Sequence, residues 1–210
     1  MDNQGVLAVV SGFSGAGKGT LIKTLLAGYQ NYALSVSATT RSPRPGEADG
    51  REYFFRTNDE FERMIENGEL LEYARYVDHY YGTPKEYVLQ NLAAGRDVLL
   101  EIEIQGALAI RERFPEAVLL FVTAPDAAEL RKRLTGRGTE ERSVIEKRLK
   151  RAAEEADGIE QYDYILVNDE VEACALRMHS LIQAAHARVG NHLEFIRGMR
   201  DDLKAQSFDD

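Results

Sequence analysis

Cysteine is nearly absent from this 210-residue chain, where Cys174 stands alone. No internal disulfide can form, and that fits a reducing compartment, the cytoplasm. Long apolar runs are missing too. None approaches the roughly 20 residues that cross a bilayer as a helix, so no membrane partner is expected. The N-terminus, Met1-Asp2-Asn3-Gln4, has no basic segment followed by an apolar one, so no signal peptide is expected. The four histidines, His79, His179, His186 and His192, show no metal-ligand spacing and read as ordinary surface residues. Positive charge is in deficit, with a formal net charge of −9. Nucleic-acid binding is driven by lysine and arginine neutralising phosphates, so an acidic chain speaks against a nucleic-acid partner. There are no internal repeats, low-complexity tracts or interdomain linkers. No surface pattern specifies an oligomeric state, and a homo-oligomer is left open.

What is present is ordinary globular composition, 44% apolar and 29% charged. The length suits one α/β domain with insertions and can bury a core without staples. Charge is unevenly spread. Residues 131–151 carry nine basic side chains against three acidic ones, a local +6, so the remainder is −15. Such an island suits either a bound anion or a solvated helix face laced with ion pairs.

Val6–Ser11 is a short β-branched run ending in a glycine-rich turn, which reads as a buried parallel strand. Lys18–Leu26 follows with Leu21, Ile22, Leu25 and Leu26 at helical spacing and Gly28 as a stop. The alternation recurs: Val98–Ile104 then Ala107–Arg113, Val118–Val122 then Asp126–Leu134, Tyr164–Val167 then a long helix from about Glu170 with Cys174 on its core face. This rhythm predicts a parallel sheet flanked by helices. Residues 37–92 break it, with short alternating pieces near Tyr53–Phe55 and Leu70–Tyr76, a helix near Asn58–Glu66 and another from Pro84. They read as a small mixed α/β insertion, leaving 1–36 and 93–210 as the core. The end of the chain after Arg197 reads as a frayed helix.

Three constellations carry chemistry. Gly12-Phe13-Ser14-Gly15-Ala16-Gly17-Lys18-Gly19-Thr20 lies between a strand and a helix, where backbone N–H groups and the helix N-terminus can cradle an anion. Lys18 would reach the outer phosphates of a nucleotide. Gly19 occupies the place where Ser or Thr would ligate Mg²⁺, and Thr20 supplies its hydroxyl one residue late. The spacing does not satisfy a dinucleotide-binding G-x-G-x-x-G pattern, which disfavours hydride transfer. Second, Glu101 and Glu103, two apart at the end of a predicted strand, would face the same side. They would lie beyond a parallel sheet's carboxyl edge, placed to hold Mg²⁺ through water or to orient a phosphate acceptor. Third, Arg41 and Arg44 sit in a proline-stiffened loop near Tyr53 and Tyr80-Tyr81, a set that matches a phosphate monoester.

Together with Ser35–Glu47, Gly50-Arg51-Glu52-Tyr53, Tyr80–Thr83, Glu101–Gly106 and Arg137-Gly138-Thr139, these residues resemble the guanylate kinases, in the family's order and across roughly residues 5–190. The resemblance implies a P-loop NTPase-type core, a GMP-binding insertion over 37–92 and a lid over about 135–150. It implies transfer of the γ-phosphoryl group of ATP to GMP, and to dGMP, with Mg²⁺. By matching position, Arg41, Arg44, Tyr53 and Tyr81 look like ligands of the GMP phosphate. Ser37, Glu72 and Thr83 look like guanine readers. Residue chemistry leaves Glu69 and Glu72 open; the resemblance points to Glu72. Arg133, Arg137 and Arg148 look like lid-side arginines over ATP, with Lys18, Arg41, Arg137 and Arg148 carrying catalysis, and Asn168 matches a position near the adenine. The family often has Asp-x-Asp where this chain has Glu101 and Glu103. Rival readings are a catalytically inactive guanylate-kinase-like binding module and a kinase for another nucleoside monophosphate.

Overall fold

The computed structural model describes residues 4–76, 78–136 and 142–206. The chain opens with β1 (Leu7–Gly12), α1 (Lys18–Gly28), β2 (Tyr32–Leu34), β3 (Ala38–Thr39) and β4 (Phe54–Phe55). It continues with α2 (Asn58–Glu66), β5 (Leu70–Tyr76), β6 (His79–Pro84), α3 (Lys85–Ala93), β7 (Asp97–Glu101) and α4 (Ile104–Arg113). It closes with β8 (Val118–Thr123), α5 (Ala127–Thr135), α6 (Arg142–Ala156), β9 (Tyr164–Val167), α7 (Val171–His186) and α8 (Leu193–Ala205).

Five strands form a parallel sheet in the order β2-β7-β1-β8-β9. The strands read as unbroken apolar runs because both faces are covered. In β1, Ala8 and Val10 join Leu21, Leu25 and Met178 on one face. Leu7 and Val9 join Val88, Ala107 and Ile110 on the other. Burying each such large side chain contributes about 1.5–3 kcal/mol. Cys174 is a core thiol of the first cluster, pushed up in pKa by burial.

Residues 38–84 build a second sheet, β4-β3-β6-β5, packed on α2 through Phe61 and Leu70. Helix α2 starts sharply because Thr57 and Glu60 cap each other's backbone N–H groups. Strand β3 is stitched to β6 by two hydroxyls: Thr39 Oγ1 donates to the Tyr80 carbonyl, and Thr40 Oγ1 accepts from the Tyr80 N–H, each at 2.9 Å.

Three expectations change. The third core strand stops at Glu101 rather than running to Ile104: β1 continues beside β8 to Gly12, while the chain after Glu101 turns away from it into α4. Ile102 makes one last bond to the Val10 carbonyl at 3.3 Å. Glu103 is then the N-cap residue of α4, not a strand residue, so strand alternation does not set its direction. The edge strand β2 has no three-residue sequence signature and was not foreseen. The end of the chain is a regular helix to Ala205, none of it buried.

The histidines also depart from the surface reading. His186 Nε2 lies 2.7 Å from Asp97, which is fully buried and also accepts from Val6 N–H and Gln183. His179 pairs with the Tyr32 hydroxyl at 2.8 Å and stacks on Tyr29. Burial pushes the Tyr32 phenol up to about 12.

Candidate active site

The glycine loop leaves the carboxyl end of β1, where the parallel sheet's switch point opens a crevice. Gly12 is there because a Cβ would stand 2.1 Å from the Val122 carbonyl oxygen of β8. Gly17 caps α1 at φ 90°, a left-handed value that side chains resist. The loop closes on itself through Ala16 N–H to the Phe13 carbonyl at 3.0 Å. Lys18 Nζ donates to the Gly12 carbonyl at 2.7 Å and to that of Phe13 at 3.4 Å, so its ammonium lies over the loop. Thr20 is exposed one turn into the helix, and Ser14 and Gly19 are half-buried.

Asn168 follows β9 and is 2% exposed. Its amide nitrogen donates to the Ala16 carbonyl at 2.8 Å and packs against Gly17, while its Oδ1 has no partner among the described residues. The side chain thus ties the end of β9 to the phosphate loop at Ala16. Arg133 approaches the same carbonyl at 3.5 Å and is tethered by Glu129 at 2.9 Å. The basic island is therefore partly an ion-paired surface, with Lys132–Glu129 and Lys150–Glu154 as further pairs. Arg148 is half-buried on α6 and has polar partners of its own. Arg137, expected over ATP, lies outside the described residues, as do Gly138 and Thr139.

The second constellation is built by residues 37–83. Arg41 sends Nη1 and Nη2 to the two carboxylate oxygens of Glu47, at 3.0 and 3.1 Å. The same carboxylate accepts from Arg44 N–H at 2.8 Å. Glu47 therefore stiffens the loop that carries both arginines, and Arg41 holds its carboxyl below the usual range. The Arg41 guanidinium lies over the rings of Tyr53 and Phe55, at 5.3 and 5.8 Å from their centroids. Tyr53 and Tyr81 meet edge to face at 5.9 Å. Arg41, Tyr53 and Tyr81 thus converge, while the Arg44 side chain stays exposed beside them. Glu47 was missed in the sequence because an acid seldom suggests itself in an anion site.

Glu72 is 4% exposed, and its Oε1 accepts from the Thr83 hydroxyl at 2.6 Å. Burial raises its pKa, partly offset by Thr83 and by the charge of Arg113. Ser37 lies half-buried on the approach to β3, its carbonyl held by Phe54 N–H at 2.9 Å.

Glu101 links the two constellations. Its carboxylate is open to solvent, yet the surrounding protein raises its pKa, with Lys18 pulling it down and Glu103 pushing it up. The same Glu101 charge, together with burial and Tyr81, raises the Tyr53 phenol. Lys18 and Tyr53 thus each sit within electrostatic reach of Glu101, and Tyr53 within reach of Arg41. Ser11 Oγ donates to the Ile102 carbonyl at 2.7 Å and fixes the bend between Glu101 and Glu103.

The glycine loop and the Arg41–Tyr53–Tyr81 cluster are each chemically suited to a phosphate, and Glu101 lies electrostatically close to a member of each. On this parallel sheet with its glycine loop, that is the arrangement of a P-loop phosphotransferase acting on nucleotides. The guanylate kinase family model matches residues 4–185. The guanylate kinase of Lactococcus lactis subsp. lactis is 52% identical over 204 residues, covering 97% of this chain and 100% of that protein. That of Caldanaerobacter subterraneus subsp. tengcongensis is 48% identical, covering 95% and 97%. The crystal structure of guanylate kinase from Anaplasma phagocytophilum matches with a TM-score of 0.73 at 35% identity, covering 88% of each chain. The chain belongs to the guanylate kinase family, the ATP:GMP phosphotransferases. No helix among the described residues is long and apolar enough to cross a membrane.

Proposed function

We propose that this chain carries out phosphoryl transfer from ATP to GMP, and to dGMP, with the loop Gly12–Thr20 holding ATP and residues 37–92 holding the acceptor. The observation that carries the reading is the convergence of Arg41, Tyr53 and Tyr81, with Tyr53 within electrostatic reach of Glu101 and Glu101 within reach of Lys18. Arg41 and Arg44 would hold the GMP phosphate, whose charge is close to two at neutral pH. Glu72 would accept guanine N1–H and N2–H₂ together, with Thr83 and Ser37 beside it. Adenine lacks that paired set of donors, so AMP would leave a buried carboxylate unpaired.

The acceptor is already an anionic phosphate oxygen, so no general base is needed. Transfer rests on alignment and on neutralisation of charge by Lys18 and the arginines. Hard oxygen donors at Glu101 and Glu103 fit Mg²⁺, which keeps much of its water and binds phosphates. When bound it supplies charge neutralisation at the transferring group. The two separate sheets support treating 37–92 as an insertion that closes on the core, and the family resemblance supports 135–150 as a lid that excludes water. The lone buried cysteine suits a cytoplasmic protein.

A coupled assay offering GMP, dGMP, AMP, CMP and UMP side by side tests the assignment. Guanine nucleotides should be strongly preferred. Preference for another base would overturn the acceptor, and no turnover with any of them would favour a binding module.

A further inference from the structure

Glycine inside a helix is less stable than alanine, because it surrenders more backbone entropy. Gly106 nevertheless occupies the first turn of α4, buried and without a left-handed φ. Its reason is spatial. A Cβ there would stand 2.7 Å from Oε2 of Glu72 and 3.1 Å from that carboxyl carbon. Glu72 has little freedom to yield, since it is buried and its other oxygen is tied to Thr83. Helix α4 has little freedom either. At its far end Arg113 Nη1 donates to the Leu71 carbonyl of β5 at 2.5 Å, next to Glu72 itself. One helix of the core therefore grips the strand that carries the acidic reader, and at the point of contact it presents no side chain.

We propose that Gly106 is a specificity-determining position for guanine, its missing side chain leaving the space that the Glu72 carboxylate must fill to accept N1–H and N2–H₂ together. This rests on the reading of Glu72 as guanine reader. Arg113 is a positioning residue in the same device: it fastens β5, and its charge favours the ionised carboxylate that guanine requires.

The test compares GMP with inosine monophosphate, which keeps N1–H and O6 but lacks the 2-amino group. In Gly106→Ala, KM for GMP should rise about tenfold, the order of one charge-assisted hydrogen bond, with KM for ATP within about twofold. The kcat/KM ratio of GMP over inosine monophosphate should fall, since only GMP loses the amino contact. In a Glu72→Asp background, whose shorter side chain frees room for the methyl group, Gly106→Ala should cost less than in the parent. That cycle reads the same contact if the single variant folds poorly, and melting temperatures check each protein. An unchanged GMP KM, a parallel loss with both nucleotides, or no coupling to Glu72 would overturn the inference. Glu72→Gln serves as the separate control. If it leaves guanine preference intact, the reading of Glu72 itself fails.

Discussion

The amide of Asn168 donates to the carbonyl of Ala16 at 2.8 Å, joining the end of β9 to the middle of the phosphate loop across 152 residues of sequence. That bond holds the peptide just before Gly17, whose left-handed φ turns the chain into α1. An unpaired Ala16 carbonyl would let the loop relax, with its inward N–H groups losing their common aim.

Asn168→Ala should therefore cost about 1–3 kcal/mol of stability, the range for stranding a buried polar partner, and raise KM for the phosphoryl donor. The loss should be equal with ATP and GTP as donors, because the loop touches phosphates rather than the base. Donor kinetics together with thermal melts check this. A defect confined to ATP would mean that Asn168 reads adenine directly.

Lys18→Ala should remove turnover, a loss of at least about 10³-fold as for other groups that stabilise transition-state charge, while the melting temperature stays near the parent's. Among the described residues the lysine bonds only to carbonyls of its own loop and joins no apolar cluster. Near-normal GMP-dependent ADP production would sink its assigned role.

Glu47→Gln should raise KM for GMP several-fold and leave KM for ATP unchanged. The substitution keeps an acceptor for Arg44 N–H but loses the charge that clamps both nitrogens of Arg41. Because Arg41 depresses the Glu47 pKa, this anchor is present above the ordinary carboxylate range and fades as pH falls through the depressed folded value. Steady-state kinetics with each substrate varied in turn separates the two effects.

Glu72→Gln should melt above the parent at pH 7 while losing guanine preference. Burial raises the Glu72 pKa, so the folded state favours the neutral acid. That contribution is fully present below the unfolded value and is lost as pH rises through the folded one. The ionised carboxylate at neutral pH is thus a burden on stability that glutamine removes. The advantage should shrink as both proteins are acidified below the ordinary carboxylate range. Melting curves across that range decide it, and an advantage independent of pH would assign the effect to packing instead.

Much of this was legible in the amino-acid order alone, where the physics is local. Apolar runs of strand length alternate with 3.6-periodic segments, and that rhythm by itself predicts the parallel sheet and the helices α1, α5 and α7. The glycine loop is legible for the same reason, since its chemistry belongs to consecutive backbone N–H groups. So is the arginine loop, where Pro43 and Pro45 stiffen residues only three apart.

What depended on tertiary structure was every relationship between residues distant in sequence. The end of β7 at Glu101 is set where the chain turns off the sheet into α4, capped at Glu103, a turn that the strand-like pattern of residues 98–104 does not announce. The pairing of Asp97 with His186 took two unremarkable residues 89 positions apart and set the histidine, still partly exposed, on a fully buried carboxylate. Glu69 and Glu72 are chemically alike on paper. The family resemblance points to Glu72, and packing supplies the physical reason, by burying Glu72 against Thr83 and Gly106 while Glu69 stays exposed beside Asn67. Local propensity writes the elements. Desolvation and steric fit, which arise only when those elements pack, choose which of their side chains become a site.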